Sequence, residues 1–166
     1  DRSRGLGDVY KRQIHDKTLH AIRSGFTLSQ FEQAVSDLHK RNIPVITHLI
    51  LGLPGETKED MLSSVRYVGS LPVTGIKLQL LHILKGTDLG TAYMADPFPL
   101  FTLEEYCDLI ADCIALLPPE IVIHRLTGDG PRNLLLAPLW STDKKRVLNT
   151  IQKCLRERDL WQGKNI

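Results

Sequence analysis

The feature that most constrains this chain is the run Ile43 to Leu51, "IPVITHLIL", followed at once by Gly52-Leu53-Pro54-Gly55. The run is nearly continuous in apolar residues, whereas a strand with one wet face alternates. Burial on both sides is what a parallel sheet flanked by helices provides. After the turn, Thr57 with Asp60 starts a helix whose stripe is Met61, Leu62, Val65 and Val68. Strand, turn and amphipathic helix in that order make a parallel α/β unit.

The rest of the chain repeats this grammar. Asp16 caps a short helix over Lys17 to Ser24, and Gly25 stops it. Thr27 with Gln30 reads as a capping box, and Phe31, Ala34, Val35 and Leu38 follow at helical spacing. Gly75 to Leu84 is the next strand. Alternation puts Lys77, Gln79, Leu81 and Ile83 on one side and Ile76, Leu78, Leu80 and His82 on the other. "TDLGTAYMAD" is a short helix or loop. Thr102 with Glu105 opens another helix, whose stripe is Tyr106, Leu109, Ile110, Cys113 and Leu117. Ile121 to Leu126 is a third strand, and "TGDGP" is a flexible loop. Asp143 to Arg158 is a last amphipathic helix with Val147, Leu148, Ile151 and Leu155 as its buried face. The three strands are expected in one sheet, the first two adjacent and parallel, because a helical crossover between them is right-handed. The sheet is either open or part of a barrel.

Composition bounds the class. Hydrophobic residues make up 42% and charged residues 24%, as in a globular protein. A net charge of +2 argues against a broad electrostatic grip on nucleic acid or membrane. No apolar run approaches the roughly 20 residues of a spanning helix. Cys107, Cys113 and Cys154 are odd in number and widely spaced, which suits reduced thiols in a cytoplasm. "DRSRGLGDVYKRQ", Asp1 to Gln13, has no period of either kind. It resembles the translated adapter read-through at the ends of metagenomic fragments, and the alternative is a basic, flexible arm. Asp1 to Lys11 is accordingly expected to pack against little and to add no strand to the main sheet.

Ligands of parallel sheets sit at the carboxyl ends of the strands, where the turn after Leu51 lies. A phosphate loop needs a Gly-Lys-Ser/Thr ending. "GLPGET" lacks it and brings Glu56 to the spot a phosphate would take. On residue types alone the turn reads first as a bend whose glycines permit unusual φ. His48, His82 and His124 lie in or near strand ends, as metal-binding histidines of a barrel hydrolase do. Strand parity weakens that reading, because His82 shares a face with apolar residues. The cysteines form no metal motif and read as small buried hydrophobes. "HRLTGDGPRN", His124 to Asn133, either binds an anionic group or is a solvated loop. The basic run beginning at Asp143 reads as a helix surface. A small α/β binding module without chemistry stays open at this point.

The blocks "IHDKTLHAIRSGFT", "VITHLILGLPGET", "GIKLQLLHILKGTDL", "FTLEEYCDLI", "PPEIVIHRLTGDGP" and "LLAPLWS", in this order, resemble the second half of a radical S-adenosylmethionine protein of an uncharacterised bacterial subgroup. The resemblance covers almost everything after Gln13. It implies an α/β fold, the C-terminal portion of a partial (β/α)6 TIM-like barrel, with a helical C-terminal tail. Residues 14–100 would form the half-barrel and 101–166 a C-terminal α/β extension. Such proteins hold a [4Fe-4S] cluster on a CxxxCxxC loop and use it to cleave S-adenosyl-L-methionine to a 5′-deoxyadenosyl radical, which attacks a substrate. The resemblance assigns Ile50 to the adenine, Gly52 to close backbone approach by the nucleoside, Gln13 to the neighbourhood of the ribose and Leu84 to the adenine pocket. The cluster loop has no counterpart among the cysteines of this chain, which therefore reads as a cofactor-barrel fragment, inactive alone, whose partner is the missing N-terminal half. The substrate stays open.

Overall fold

In the computed structural model, residues 10–12, 27–128 and 130–166 are described. Gln13 and the expected helix Lys17–Ser24 lie outside them. In chain order the elements are β1 (Tyr10–Arg12), α1 (Leu28–Lys40), β2 (Ile46–Leu51), α2 (Lys58–Gly69), β3 (Gly75–Leu80), β4 (Ile83–Leu84), α3 (Asp88–Ala95), α4 (Leu103–Leu116), β5 (Val122–Arg125), β6 (Leu135–Ala137) and α5 (Lys144–Glu157).

The expected capping boxes form at Thr27, Thr57 and Thr102. In each, the threonine hydroxyl accepts from the backbone N–H three residues on, and that residue's side chain accepts from the threonine N–H. Two donors without intrahelical partners are satisfied at once, so each helix start is legible locally.

The main sheet has the order β1-β2-β3-β5, and every neighbouring pair is parallel. The expectation for the three long strands holds: β2 and β3 are adjacent and parallel, with Ile46 opposite Gly75 and Leu51 opposite Leu80, and β5 follows on β3. Two expectations are corrected. Tyr10–Arg12 pairs with β2, so the N-terminal segment does contribute a strand to this sheet. The run Gly75–Leu84 is also two strands. It leaves the sheet after Leu80, and Ile83–Leu84 pairs antiparallel with β6 in a separate two-stranded sheet. Apolar content alone does not mark that break, because Leu81 and Ile83 stay buried in a second cluster beside the first.

One face of the main sheet carries Thr47, Leu49, Leu51, Ile76, Leu78 and Leu80, all buried. Its leucines and isoleucine pack with Phe31, Met61, Val65, Leu109, Ile110 and Ile151 from the helices in one cluster. On the opposite face Ile46, Ile50, Lys77 and Gln79 are half-buried and His48 is buried. In α5, Val147 and Ile151 face the core as expected, but Leu148 is 43% exposed.

An ionic cluster pins three helices together. Asp112 of α4 meets Lys58 of α2 at 2.6 Å and Arg158, just past α5, at 2.5 Å, and Arg158 also reaches Asp108 at 3.0 Å. Burial pushes the Asp112 carboxyl up, but the hydrogen bonds from Lys58 and Arg158 outweigh it and hold the group below the ordinary range. A depressed folded value stabilises above the unfolded carboxylate pKa, near 3.9. That contribution is lost as pH falls through the folded value. Asp112→Ala is expected to cost about 2 kcal/mol at neutral pH, discounted for the exposed partners, or roughly 4–8 °C in Tm. As melts are taken from about pH 4 downward, the difference between the variant and the unsubstituted chain should shrink progressively and vanish only below the lowered folded value. A constant difference between them down to pH 2 would show that the pairing contributes nothing.

Candidate cofactor-facing site

The turn after β2 lies at the carboxyl edge of the sheet. Gly52 has φ +88° and Gly55 φ +84°. The Glu56 N–H donates to the Leu53 carbonyl at 3.1 Å across Pro54-Gly55, the pattern of a type II turn. The Gly52 N–H donates to the Met61 sulfur at 3.2 Å. A Cβ added at Gly52 would lie 3.1 Å from the Phe101 ring. Both the positive φ and the Phe101 contact therefore ask for glycine, whatever approaches the backbone from outside.

Beside this turn is a cavity of about 570 Å³. Its walls come from the 52–56 turn, Met61, Leu80, Leu81, Leu109 and the segment Phe98–Phe101. Glu56, Glu105 and Asp108 reach it, against one cation, Lys58. Lys58 is engaged by Asp112. This surplus of carboxylate agrees with the exclusion of a phosphate loop. The Phe98–Phe101 wall was not anticipated as part of a site. Its only signal is an apolar run with no period, and its position is set by distant contacts such as Trp140 Nε1 donating to the Phe101 carbonyl at 2.9 Å.

Of the residues singled out by resemblance, Gly52 lines this cavity, whereas Ile50 and Leu84 are not among its walls. Ile50 points to the opposite, half-buried face of β2, where it packs on the second cluster with Ile83. Leu84 follows Ile83 in β4, and its carbonyl accepts from the Thr87 hydroxyl at 2.8 Å. Ile50 thus packs on the second cluster, of which Ile83, the neighbour of Leu84 in β4, is a member. Gln13 lies outside the described residues.

The three histidines have separate surroundings. His48 is buried in β2. His124 is exposed, and its ring lies against Gly75, where an added Cβ would come within 2.6 Å of it. His82 lies beyond β3, not on it, and its Nδ1 accepts from the Gly130 N–H at 3.1 Å. A Cβ at Gly128 would fall 2.3 Å from the same ring and one at Gly130 2.7 Å from it, so both glycines lie against His82. No group of three His, Cys, Asp or Glu side chains among the described residues is placed to hold a metal. Cys107 and Cys113 are buried, and burial pushes both thiols up to about 12. Cys154, expected to be buried, is only half so and contacts Asp108. Protonated thiols in two separate helices do not fit an iron–sulfur cluster, which requires converging thiolates.

A parallel sheet with one helix-covered face, the other half-buried, and a glycine turn at the carboxyl edge of a central strand defines an α/β protein. Residues 73–157 match the Radical_SAM C-terminal domain, and the chain belongs to that family. It is 37% identical to the uncharacterized protein YtqA of Bacillus subtilis over 151 residues, 91% of this chain and 47% of the relative. It is 35% identical to protein YhcC of Escherichia coli over 143 residues, 86% of this chain and 46% of the relative. The chain thus spans about half the length of the curated relatives it matches. An N-terminally truncated Elp3 from the archaeon Methanocaldococcus infernus shares the fold, with a TM-score of 0.77 at 16% identity over 90% of this chain and 35% of that one. Among the described residues no helix is long and apolar enough to cross a membrane.

Proposed function

We propose that this chain is the C-terminal, nucleoside-facing part of a radical S-adenosylmethionine enzyme. The carrying observation is the second face of the sheet. Parallel sheets are normally buried on both faces by apolar side chains. Here the face opposite the core presents Lys77 and Gln79, half-buried, beside His48 and Ile50. A barrel lumen that receives a polar cofactor and a substrate accounts for that polarity. The family membership and the break of β3 at Leu80, which brings β4 near the strand ends, support the same reading.

Within it, Ile50 presses on the adenine, the Gly52 backbone meets the nucleoside, Leu84 closes the adenine pocket and Gln13 lies near the ribose. A [4Fe-4S] cluster, when held by the rest of the enzyme, would supply the electron for S-adenosylmethionine cleavage. The residues of this chain bind and orient the nucleoside end and leave cluster ligation to the N-terminal half. The chain alone is inactive.

The test uses full-length protein reconstituted anaerobically with iron and sulfide. Ile50→Ala removes apolar contact worth about 1 kcal/mol, so S-adenosylmethionine should bind about five- to tenfold more weakly. Cleavage at saturating S-adenosylmethionine should persist, and a cooperative melt, lowered by the packing Ile50 gives the second cluster, establishes that the variant folds. Unchanged affinity would remove Ile50 from the adenine site. Gly52→Val is a poorer probe, because the positive φ and the Phe101 contact make it a folding variant as well.

A further inference from the structure

The N-terminal turn of α5 is built against its own helix dipole. Lys144, Lys145 and Arg146 occupy its first positions, and the turn holds no acidic residue. The other two long helices after β2 follow the usual rule, with Glu59 and Asp60 opening α2 and Glu104 and Glu105 opening α4. A helix N-terminus carries partial positive charge, so cations there are unfavourable. The combination concentrates positive potential at one corner of a chain whose net charge is only +2.

That corner continues as a surface groove of about 430 Å³ along α5, lined by Asp143, Lys145, Arg146, Asn149, Thr150 and Lys153. Asp143 is spent as the cap, its carboxylate accepting from the Arg146 N–H at 3.0 Å. The side chains of Lys145 and Arg146 have no ion-pair partner among the described residues, and Lys153 meets only Glu157, at 3.7 Å. Positions 145, 149 and 153 lie four residues apart on one side of α5, about 6 Å of rise from one to the next. Lys144 lines a second pocket of about 220 Å³ together with Arg132, His82 and Thr142, which carries the cationic surface toward the loop beside β4.

We propose that this face of α5 is a docking surface for the phosphate backbone of a nucleic acid. Lysine and arginine interleaved with Asn and Thr donors are the side chains that hold phosphates without reading bases. A lipid surface fits poorly, since Val147 and Ile151 are used on the core and only Leu148 is left to insert. An acidic protein partner would ask for an apolar or aromatic centre, and the groove has none. The proposal does not depend on the cofactor reading, and its test involves neither cluster nor S-adenosylmethionine.

The 166-residue chain is titrated by fluorescence anisotropy against a labelled mixed-sequence RNA oligonucleotide and the single-stranded DNA of the same sequence, between about 50 and 200 mM salt. Binding of either that weakens steeply with salt is expected, and the two arms tell which sugar is preferred. The triple variant Lys145→Gln, Arg146→Gln, Lys153→Gln should lose about tenfold or more in affinity and reduce the log–log salt slope by about 2. Three exposed cations elsewhere, replaced as Lys40→Gln, Arg41→Gln and Arg66→Gln, are the control and should change affinity less than about twofold. Cooperative melts of both variants establish that they fold. The proposal is overturned if the natural chain binds neither oligonucleotide, if the control loses as much as the α5 variant, or if polyglutamate or anionic vesicles bind as tightly as the nucleic acids.

Discussion

Tyr106→Ala is expected to destabilise the chain by about 3–5 kcal/mol, the range for removing a buried aromatic ring. Tyr106 is fully buried where α4 enters the core, with ring centroids 6.2 Å from Phe101 and 5.6 Å from Trp140. Its hydroxyl donates to the Leu126 carbonyl at 2.9 Å, tying α4 to the end of β5. Burial, with nearby Cys113 and Cys107, pushes the phenol well above its ordinary value, so it stays a donor throughout the neutral range. Two contributions are lost together in the alanine variant, and Tyr106→Phe separates them. The phenylalanine keeps the ring and strands only one carbonyl, for about 1–1.5 kcal/mol. Chemical denaturation at neutral pH reads both. If Ala cost no more than Phe, the ring would not be part of the packed core.

Gly90→Ala should also destabilise, by about 3 kcal/mol, against the sign that helix propensity predicts. In an open helix the change gains about 1 kcal/mol. Here the added Cβ would sit 2.1 Å from the Leu84 carbonyl oxygen, a backbone atom. That carbonyl cannot yield cheaply, since Leu84 is paired with Leu135 of β6 and the next N–H, of Lys85, donates to the Leu134 carbonyl at 2.7 Å. Overpacking against fixed backbone costs up to about 3 kcal/mol and outweighs propensity. The damage should be local: amide exchange at Ile83, Leu84 and Lys85 accelerates while Leu49 and Leu78 keep their protection. If Leu84 closes the adenine pocket as proposed, the same variant in full-length protein should also weaken S-adenosylmethionine binding. Unchanged exchange at β4 would mean that α3 does not bear on it.

Which parts of this were legible in the sequence follows from the range of the forces. Each capping box sits within four residues, so Thr27, Thr57 and Thr102 announced three helices. The unbroken apolar run of β2 announced a parallel sheet, and α2 between β2 and β3 set their adjacency. Gly52 and Gly55 announced a turn at the ligand edge. The helical faces were also readable, apart from Leu148, where a stripe one residue too wide hid the true boundary of contact.

Other features depend on partners far away in the chain. Leu80 and Leu81 look alike, yet the sheet ends between them because β6, more than fifty positions later, captures Ile83 and Leu84. Period-2 alternation does not encode a change of partner. His82 was assigned by parity to a strand face, but it is held by Gly128 and Gly130 across the fold. Phe98–Phe101 became a cavity wall only because Tyr106, Trp140 and Gly52 converge on Phe101. By itself the sequence determined the α/β class, the helix starts, the turn and the family, since each rests on local hydrogen bonding, local periodicity or an ordered set of local blocks. Only the tertiary structure decided which face of the sheet is open, where β3 stops and which side chains share a cavity, because those depend on packing between segments whose separation along the chain carries no local signal.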